Sequence, residues 1–410
     1  MYINKVRVRE AMERIGIKTQ TELADKLGIS KNQLSAMLSE KYNPLKARVA
    51  ELCDVLNIKP NEILDYEKED VVVNFAEINE EEVTAIEVFT GAGGLALGLE
   101  QAGIHTVQFV EIDKFCCETL KQNRPEWNVI NEDIAKVDFT MFKGKVDIVT
   151  GGSPCQAFSY SGKKLGFEDT RGTLFYEFAR TVKEVEPLIF MFENVRGLIS
   201  HDKGRTLETI LSVLKELGYN VKYEVLNAND YGVAQKRERI IIIGTKDGIE
   251  FEYPKKLDYK PVLRDALKDV PQSEGHTYSE KKRKVLELVP PGGCWVDLPE
   301  ELQKEYMGKS YYSGGGKRGM ARRISWDEPS LTLTCSPSQK QTERCHPEET
   351  RPFTVREYAR IQSFPDSWEF AGGIGQKYKQ IGNAVPVELA RHLGVQLVKA
   401  ISEFKNRDSD

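Results

Sequence analysis

At 410 residues the chain is too long for one ordinary core, so two or three domains are expected. Its 58 Lys and Arg against 63 Asp and Glu leave a formal net charge of -5, so any basic surface for nucleic acid must be local. Seven cysteines with no C-x-x-C and no His/Cys cluster of zinc spacing exclude a sequence-evident metal site and fit a reduced, cytoplasmic compartment. The charged N-terminus carries no signal peptide, and no stretch approaches the ~18 apolar residues of a membrane span.

Residues 1–66 read as short helices. Val6 to Ile15 is amphipathic and ends at Gly16, and Thr19 to Leu27 follows with Glu22 at capping-box spacing from Thr19. Gly28-Ile29-Ser30 is a tight turn, and Ser30 caps a helix over Lys31 to Ser39. Asn43-Pro44 interrupts the pattern before Ala47 to Leu56. Two short helices joined by a turn containing Gly are the signature of a helix-turn-helix. Ala24, Leu27, Ile29 and Leu34 fill the angle between them, which leaves Lys31, Asn32, Gln33 and Ser35 outward, where a recognition helix meets a major groove. Residues 67–84 are dense in acids and read as a solvated linker, with a short extended piece at Val71-Val72-Val73.

Ala85 to Phe89 reads as a strand, Thr90-Gly91-Ala92-Gly93-Gly94 as a glycine turn, and Leu95 to Gln101 as a helix. Strand, glycine turn and helix make the first unit of a doubly wound nucleotide-binding sheet, although the spacing is not that of a dinucleotide fingerprint. Thr106 to Val110 is a second strand ending at Glu111-Ile112-Asp113, where an acid about 20 residues past the glycines is placed to meet ribose hydroxyls. Asp133 follows Val129-Ile130 in the same way. Any one of these acids would serve equally as a surface charge or a helix cap; their recurrence at successive strand ends points to a ligand.

Val146 to Thr150 is a buried strand leading into Gly151-Gly152-Ser153-Pro154-Cys155-Gln156. A cysteine on such a turn is either one more interior thiol or a nucleophile presented at the carboxyl end of a strand. Leu188 to Phe192 is a further buried strand, and Glu193-Asn194-Val195 at its end delivers a carboxylate to the same rim. Leu207 to Leu217 forms a helix closed by Gly218. Arg237 and Arg239 alternate ahead of the strand Ile240 to Gly244 and so share a face of an extended segment. Thr354 to Phe364 is a helix, and Gly382 to Pro386 begins the last one, Val387 to Phe404.

Two resemblances follow from these stretches. T-Q-T-E-L-A-D-K-L-G-I-S-K-N-Q-L-S with V-A-E-L-C-D-V-L-N-I-K-P-N-E-I-L resembles the phage repressor and Cro-like family, which implies DNA binding, usually as a dimer. F-T-G-A-G-G, G-G-S-P-C-Q, E-N-V, Q-K-R-E-R, R-R-I-S-W-D-E-P-S-L-T-L-T and I-G-N-A-V-P, in this order, resemble the DNA cytosine-5 methyltransferases from Ile86 to about Leu397. The resemblance implies an α/β, Rossmann-like catalytic domain that binds S-adenosylmethionine and releases S-adenosylhomocysteine, with no metal. Alongside it stand a small mixed target-recognition domain and the all-α N-terminal domain. The expected divisions are 1–66 helix-turn-helix, 67–84 linker, 85–244 catalytic, 245–345 target recognition, and 346–410 a return to the catalytic domain. Cys155 is then the thiolate that adds to carbon 6 of a flipped cytosine, Glu193 acts on ring nitrogen 3, and Arg237 and Arg239 hold the cytosine carbonyl and the catalytic loop. Phe89, Gly91, Gly93, Glu111, Asp133, Asn383 and Val385 hold the cofactor.

Residues 157–173, including Ser159 and Lys163, resemble the loop that closes over the flipped base. Arg322 and Arg323 resemble the block that organises the recognition domain, and Lys317, Arg318 and the stretch Ser336 to Arg344 are candidate readers of duplex DNA. The expected partners are this duplex and an operator at the protein's own promoter, with dimerisation through the N-terminal domain and no membrane. A methylase of a restriction-modification system that regulates its own operon is the expectation. The alternatives are an orphan methylase with a DNA tether, a regulator with a silent methylase half, and an RNA methylase, whose branch carries a Cys-Phe-Thr tripeptide absent here.

Overall fold

The computed structural model describes residues 2–39, 49–65, 82–153, 173–312 and 319–407. In chain order the elements that position the site are α1 (Lys5–Arg14), α2 (Gln20–Lys26), α3 (Lys31–Met37), α4 (Val49–Leu56), β1 (Val83–Val88), α5 (Gly94–Gln101), β2 (Ile104–Glu111), α6 (Lys114–Asn123) and β3 (Val129–Asn131). Then come β4 (Ile148–Gly151), α7 (Thr173–Val185), β5 (Ile189–Val195), α8 (Arg205–Glu216), β6 (Asn220–Asn227), β7 (Gln235–Lys236) and β8 (Glu238–Thr245). The chain ends with α9 (Leu263–Leu267), α10 (Glu280–Glu287), α11 (Glu300–Met307), β9 (Ser330–Leu331), α12 (Val355–Ile361), α13 (Ile374–Asn383) and α14 (Val387–Arg407). Contacts divide the chain into two compact units, one of residues 1–78, 132–225 and 240–250, the other of 79–131, 226–239 and 251–410.

In the first unit the N-terminal helices form where the sequence places them. Asn4 caps α1 through the amides of Val6 and Arg7, and Thr19 caps α2 through the amide of Glu22. Ser30 and Gln33 make a reciprocal capping box on α3. Leu23, Ala24, Leu34 and Met37 are buried between α2 and α3, so the turn at Gly28 is fixed by packing on both sides. The acidic stretch 66–81, with its expected extended piece at Val71–Val73, lies outside the described residues. Further along, β4 lies parallel to β5 with Gly151 opposite Phe192, and β5, β8 and β6 follow as neighbours. Ile148, Val149, Ile189 to Phe192 and Ile240 to Ile243 are all buried, the near-continuous apolar pattern of strands covered on both faces.

In the second unit β1, β2 and β3 are parallel and stand in the order β3-β2-β1. Val88 pairs with Val110 and Glu111 with Asn131, so their carboxyl ends lie level. Helix α14 packs along α5 through small residues. A Cβ on Gly98 would lie 2.4 Å from the Val387 carbonyl oxygen, and one on Gly394 would lie 2.6 Å from Ala102 Cβ. The last helix therefore returns to the first glycine-turn unit across almost the whole length of the chain. Phe109, Leu120, Phe364, Trp368 and Ile381 belong to one core with them. A second, smaller core of Tyr278, Leu286, Val289, Leu298, Ala321 and Cys345 forms within the variable region.

The start of the last helix differs from the sequence expectation. Asn383 does not begin the last helix but ends α13, and Ala384 to Pro386 make a separate turn before α14. Ala384 is extended (φ -62°, ψ 148°), and the proline that follows Val385 disfavours helical backbone at the residue before it.

Candidate active site

In the first unit the rim is set by the parallel pair β4 and β5. Gly152 leaves β4 directly beside Glu193: a Cβ on Gly152 would lie 2.6 Å from Glu193 Oε2 and 3.4 Å from its backbone oxygen. Only a residue without a side chain lets the two backbones lie this close while the carboxylate keeps its place. Asn194 is fully buried, and its Oδ1 accepts the Val195 amide at 2.9 Å. Ser153 is buried as well. Cys155, Ser159 and Lys163 lie outside the described residues. Asp133 sits just after β3, and its Oδ1 accepts the Ala135 amide at 3.0 Å, so one oxygen caps the short turn that follows. That turn is anchored by Arg180 of α7, which donates to the carbonyls of Ile134 (2.7 Å) and Val137 (3.0 Å) and pairs with Glu177 and Glu184.

In the second unit the glycine turn has an unusual backbone. Phe89 is left-handed at φ 58°, as are Gly91 at 59° and Gly93 at 85°. A bulky residue held there stores about 1–3 kcal/mol of strain and persists only when its surroundings fix it. They do: the Phe89 amide donates to the Val110 carbonyl at 3.0 Å, and Glu111 Oε2 accepts the Gly91 amide at 2.8 Å. The other oxygen of Glu111 accepts the Asp113 amide at 2.8 Å. Burial raises the Glu111 carboxyl above the ordinary carboxylate range, with these amides opposing the shift. Helix α5 starts at this turn from Gly93, which has no side chain to cap it. Gly94 is packed so closely on the Ala384–Val385 turn that a Cβ would lie 2.2 Å from the Val385 carbonyl oxygen. The structure therefore brings Phe89, Gly91, Gly93, Glu111 and Val385 together. Asn383 is exposed nearby, its Oδ1 accepting from Cys335 Sγ at 3.0 Å.

Arg237 is 1% exposed and donates to the carbonyls of Leu333 (3.2 Å), Gly382 (2.9 Å) and Ala384 (2.9 Å). Arg239 has its Nη1 on the Glu238 carbonyl at 2.8 Å. The strand is interrupted between β7 and β8 at Arg237. Two residues that sequence reasoning passed over complete this knot. Buried Gln235 joins Gln362 at 2.8 Å and accepts the Leu333 amide, and Gln362 donates to the carbonyls of Ile381 and Ala384. Gln235 opens the Q-K-R-E-R block, which was the available signal; nothing marked Gln362.

Within the variable region Arg323 is buried and donates to the carbonyls of Leu286, Val289, His346 and Pro347, while Arg322 grips Glu328 with both oxygens at 2.6 and 2.7 Å. Tyr312 is 79% exposed, and Gln339, Lys340 and Gln341 are exposed, whereas Glu343 and Arg344 are buried. Lys317 and Arg318 lie outside the described residues. On α3, Lys31, Asn32, Gln33 and Ser35 are exposed, with the Gln33 carbonyl engaged by the Ser30 amide at 2.9 Å. Among the described residues no group of His, Cys, Asp or Glu is arranged to hold a metal ion, and no helix is long and apolar enough to cross a membrane.

Comparison with known proteins gives two family matches. Residues 83–399 match the C-5 cytosine-specific DNA methylases, and residues 7–69 match the Cro/C1-type HTH DNA-binding domain. The chain is 54% identical to the type II methyltransferase M.Sau96I of Staphylococcus aureus, covering 98% of this chain and 100% of that one. It is 52% identical to M.Eco47II of Escherichia coli, with 94% and 96% covered. A crystal structure of a Spodoptera frugiperda DNMT2 mutant shares the fold at a TM-score of 0.56, with 17% identity over 77% of this chain and 99% of that one.

Proposed function

The chain belongs to the C-5 cytosine-specific DNA methylases and is a DNA (cytosine-5-)-methyltransferase; on that premise we propose how its own residues carry out the reaction. What supports the reading is the seating of Glu193 against Gly152, two residues before Pro154 and three before Cys155. A thiolate and a carboxyl group presented from adjacent parallel strands can act on opposite parts of one pyrimidine ring.

The glycine turn fits a nucleoside ligand. Its backbone is left-handed, its helix starts from a glycine without a capping side chain, and Glu111 offers a carboxylate at the level strand end. When bound there, S-adenosylmethionine supplies an activated methyl group. Phe89, Gly91 and Gly93 would hold its adenosine and amino-acid ends, Glu111 its ribose hydroxyls and Asp133 its adenine amine, with Asn383 and Val385 completing the site.

Cytosine carbon 5 is too weak a nucleophile to take a methyl group unaided. The Cys155 thiolate adds to carbon 6 of the flipped base, and Glu193 supplies a proton or hydrogen bond at nitrogen 3, so electron density moves to carbon 5. After transfer, a base such as water takes the carbon 5 proton, which restores the double bond, expels the Cys155 thiolate and lets nitrogen 3 return its proton to Glu193. Arg239 holds the cytosine carbonyl, while Arg237, committed to three carbonyl oxygens, fixes the loops around it. Residues 245–345 read the duplex.

The protein serves as the modification enzyme of a type II restriction-modification system, as the names of its relatives suggest. Residues 1–66 bind an operator at its own promoter through Lys31, Asn32, Gln33 and Ser35. Bisulfite sequencing of DNA from expressing cells tests the reading: protected cytosines should recur in one short sequence and vanish with Cys155→Ala. A reporter on the native promoter tests the regulator. Deleting residues 1–66 should raise its output; unchanged output with a higher KM for DNA would make the domain a tether.

A further inference from the structure

The recognition region contains a buried carboxylate that the reaction does not use. Glu343 has no exposed surface. Its Oε2 accepts the Tyr306 hydroxyl at 2.6 Å and the Ala321 amide at 2.7 Å, and its Oε1 faces the Lys282 ammonium. Tyr306 lies near the end of α11, just before residues 308–312, and Ala321 lies two residues after Gly319. Glu343 itself closes the exposed stretch Gln339 to Gln341. One carboxylate thus ties Tyr306, ahead of the exposed residues Gly308 to Ser310, and Ala321 to the end of the exposed stretch Gln339 to Gln341.

Further contacts run the same way. Lys282 donates to the Ser338 carbonyl at 2.6 Å, and Lys340 donates to the Tyr306 carbonyl while lying 4.6 Å from the centre of the Tyr306 ring. A Cβ on Gly319 would lie 3.0 Å from the Gln341 carbonyl oxygen. Burial together with the nearby charge of Lys340 lowers Lys282 to about 8. Hydrogen bonds to a buried carboxylate are the strong, charge-assisted kind, and losing one frees the group it held.

We propose that Glu343 is a positioning residue for sequence discrimination, holding segments 306–312 and 336–342 at the separation that matches the target's base edges. This rests on the reading of residues 245–345 as the part that selects the duplex. A single wrong base pair costs such sites roughly ten- to hundredfold. Segments free to shift relative to each other would accept wrong pairs more readily while still closing on the right one.

The test uses the full-length protein with Tyr306→Phe, which deletes only the hydroxyl, and Glu343→Gln, which keeps the shape but removes the charge. For each, kcat/KM is measured on the target duplex found by bisulfite sequencing and on every single-pair variant of it, together with S-adenosylmethionine affinity and Tm. Both substitutions should lower the ratio of correct to incorrect methylation at least about fivefold, with cofactor affinity unchanged. An unchanged ratio, or an equal loss on all duplexes that follows a fall in Tm, overturns the proposal. A third protein carries residues 245–345 of a relative. If its methylated sequence does not change, the underlying reading fails too; if the sequence moves but Tyr306→Phe leaves the ratio intact, only the role of Glu343 is lost.

Discussion

Replacing Gly152 by alanine probes the site with a single methyl group. The added Cβ would lie 2.6 Å from Glu193 Oε2, whereas ordinary contact begins at 3.4 Å, so the carboxylate must withdraw by about 0.8 Å. The atom in the way is the far end of a flexible side chain, and Gly152 does not use left-handed backbone, so the strand itself need not move. Losing a glycine also restricts the unfolded chain, which offsets part of any strain by ~0.4–1 kcal/mol. Stability should therefore hold. Catalysis should not: misplacing a reacting group by about 1 Å costs on the order of a hundredfold. Expressed as a barrier this is about 2.7 kcal/mol. The assay is single-turnover transfer of labelled methyl from S-adenosylmethionine to the target duplex, with cofactor affinity and Tm measured beside it. Transfer at the wild-type rate would refute the placement of Glu193, and so would a rate loss matched by general unfolding.

Cys155→Ala should abolish transfer while S-adenosylmethionine affinity, followed by calorimetry, stays within about twofold, because thiol and cofactor contacts lie on different turns. Gly94→Ala should do the reverse: its Cβ would sit 2.2 Å from the Val385 carbonyl, backbone that cannot rotate away, so about 1–3 kcal/mol of overpacking should appear as weaker cofactor binding and a lower Tm. Glu87→Gln should raise Tm increasingly from pH 5 to pH 8. Burial, with the charge of Glu111 adding to it, lifts the Glu87 carboxyl well above the ordinary range. A raised acid contributes stability at low pH that is lost as pH climbs past its unfolded value, and glutamine removes that penalty. A constant Tm difference across this range would contradict the assignment.

The parts of this protein that could be read along the chain were those with local causes. Apolar runs marked β1, β4, β5 and β8, and Thr19 and Ser30 marked the starts of α2 and α3. The acids at strand ends were visible as well, but their division of labour was not. Glu111 holds the Gly91 turn, Asp113 caps α6 and pairs with Lys379, and Asp133 gives one oxygen to a cap. Helix α6 escaped notice because its core side is carried by Cys116, Cys117, Thr119 and Leu120, a weak apolar stripe. Long-range partners left no local trace. Arg237 looked like a free, alternating arginine until Leu333, Gly382 and Ala384, about a hundred residues or more away, supplied its carbonyl oxygens. Gln362 read as an ordinary polar residue, and Glu343 as part of a stretch of candidate base readers, because only the fold buries them.

The central claim is that Cys155 bonds to carbon 6 of a cytosine lifted out of the duplex. It is tested most directly with a target duplex in which that cytosine carries fluorine at carbon 5. After methyl transfer the fluorine cannot leave as the proton does, so the cysteine cannot be expelled and the adduct persists. Incubation with S-adenosylmethionine should give a one-to-one protein–DNA complex that survives denaturing electrophoresis, absent when the cofactor is omitted or when Cys155 is alanine. A wild-type protein that methylates ordinary DNA yet forms no such complex, or a Cys155→Ala protein that still forms it, would contradict the account.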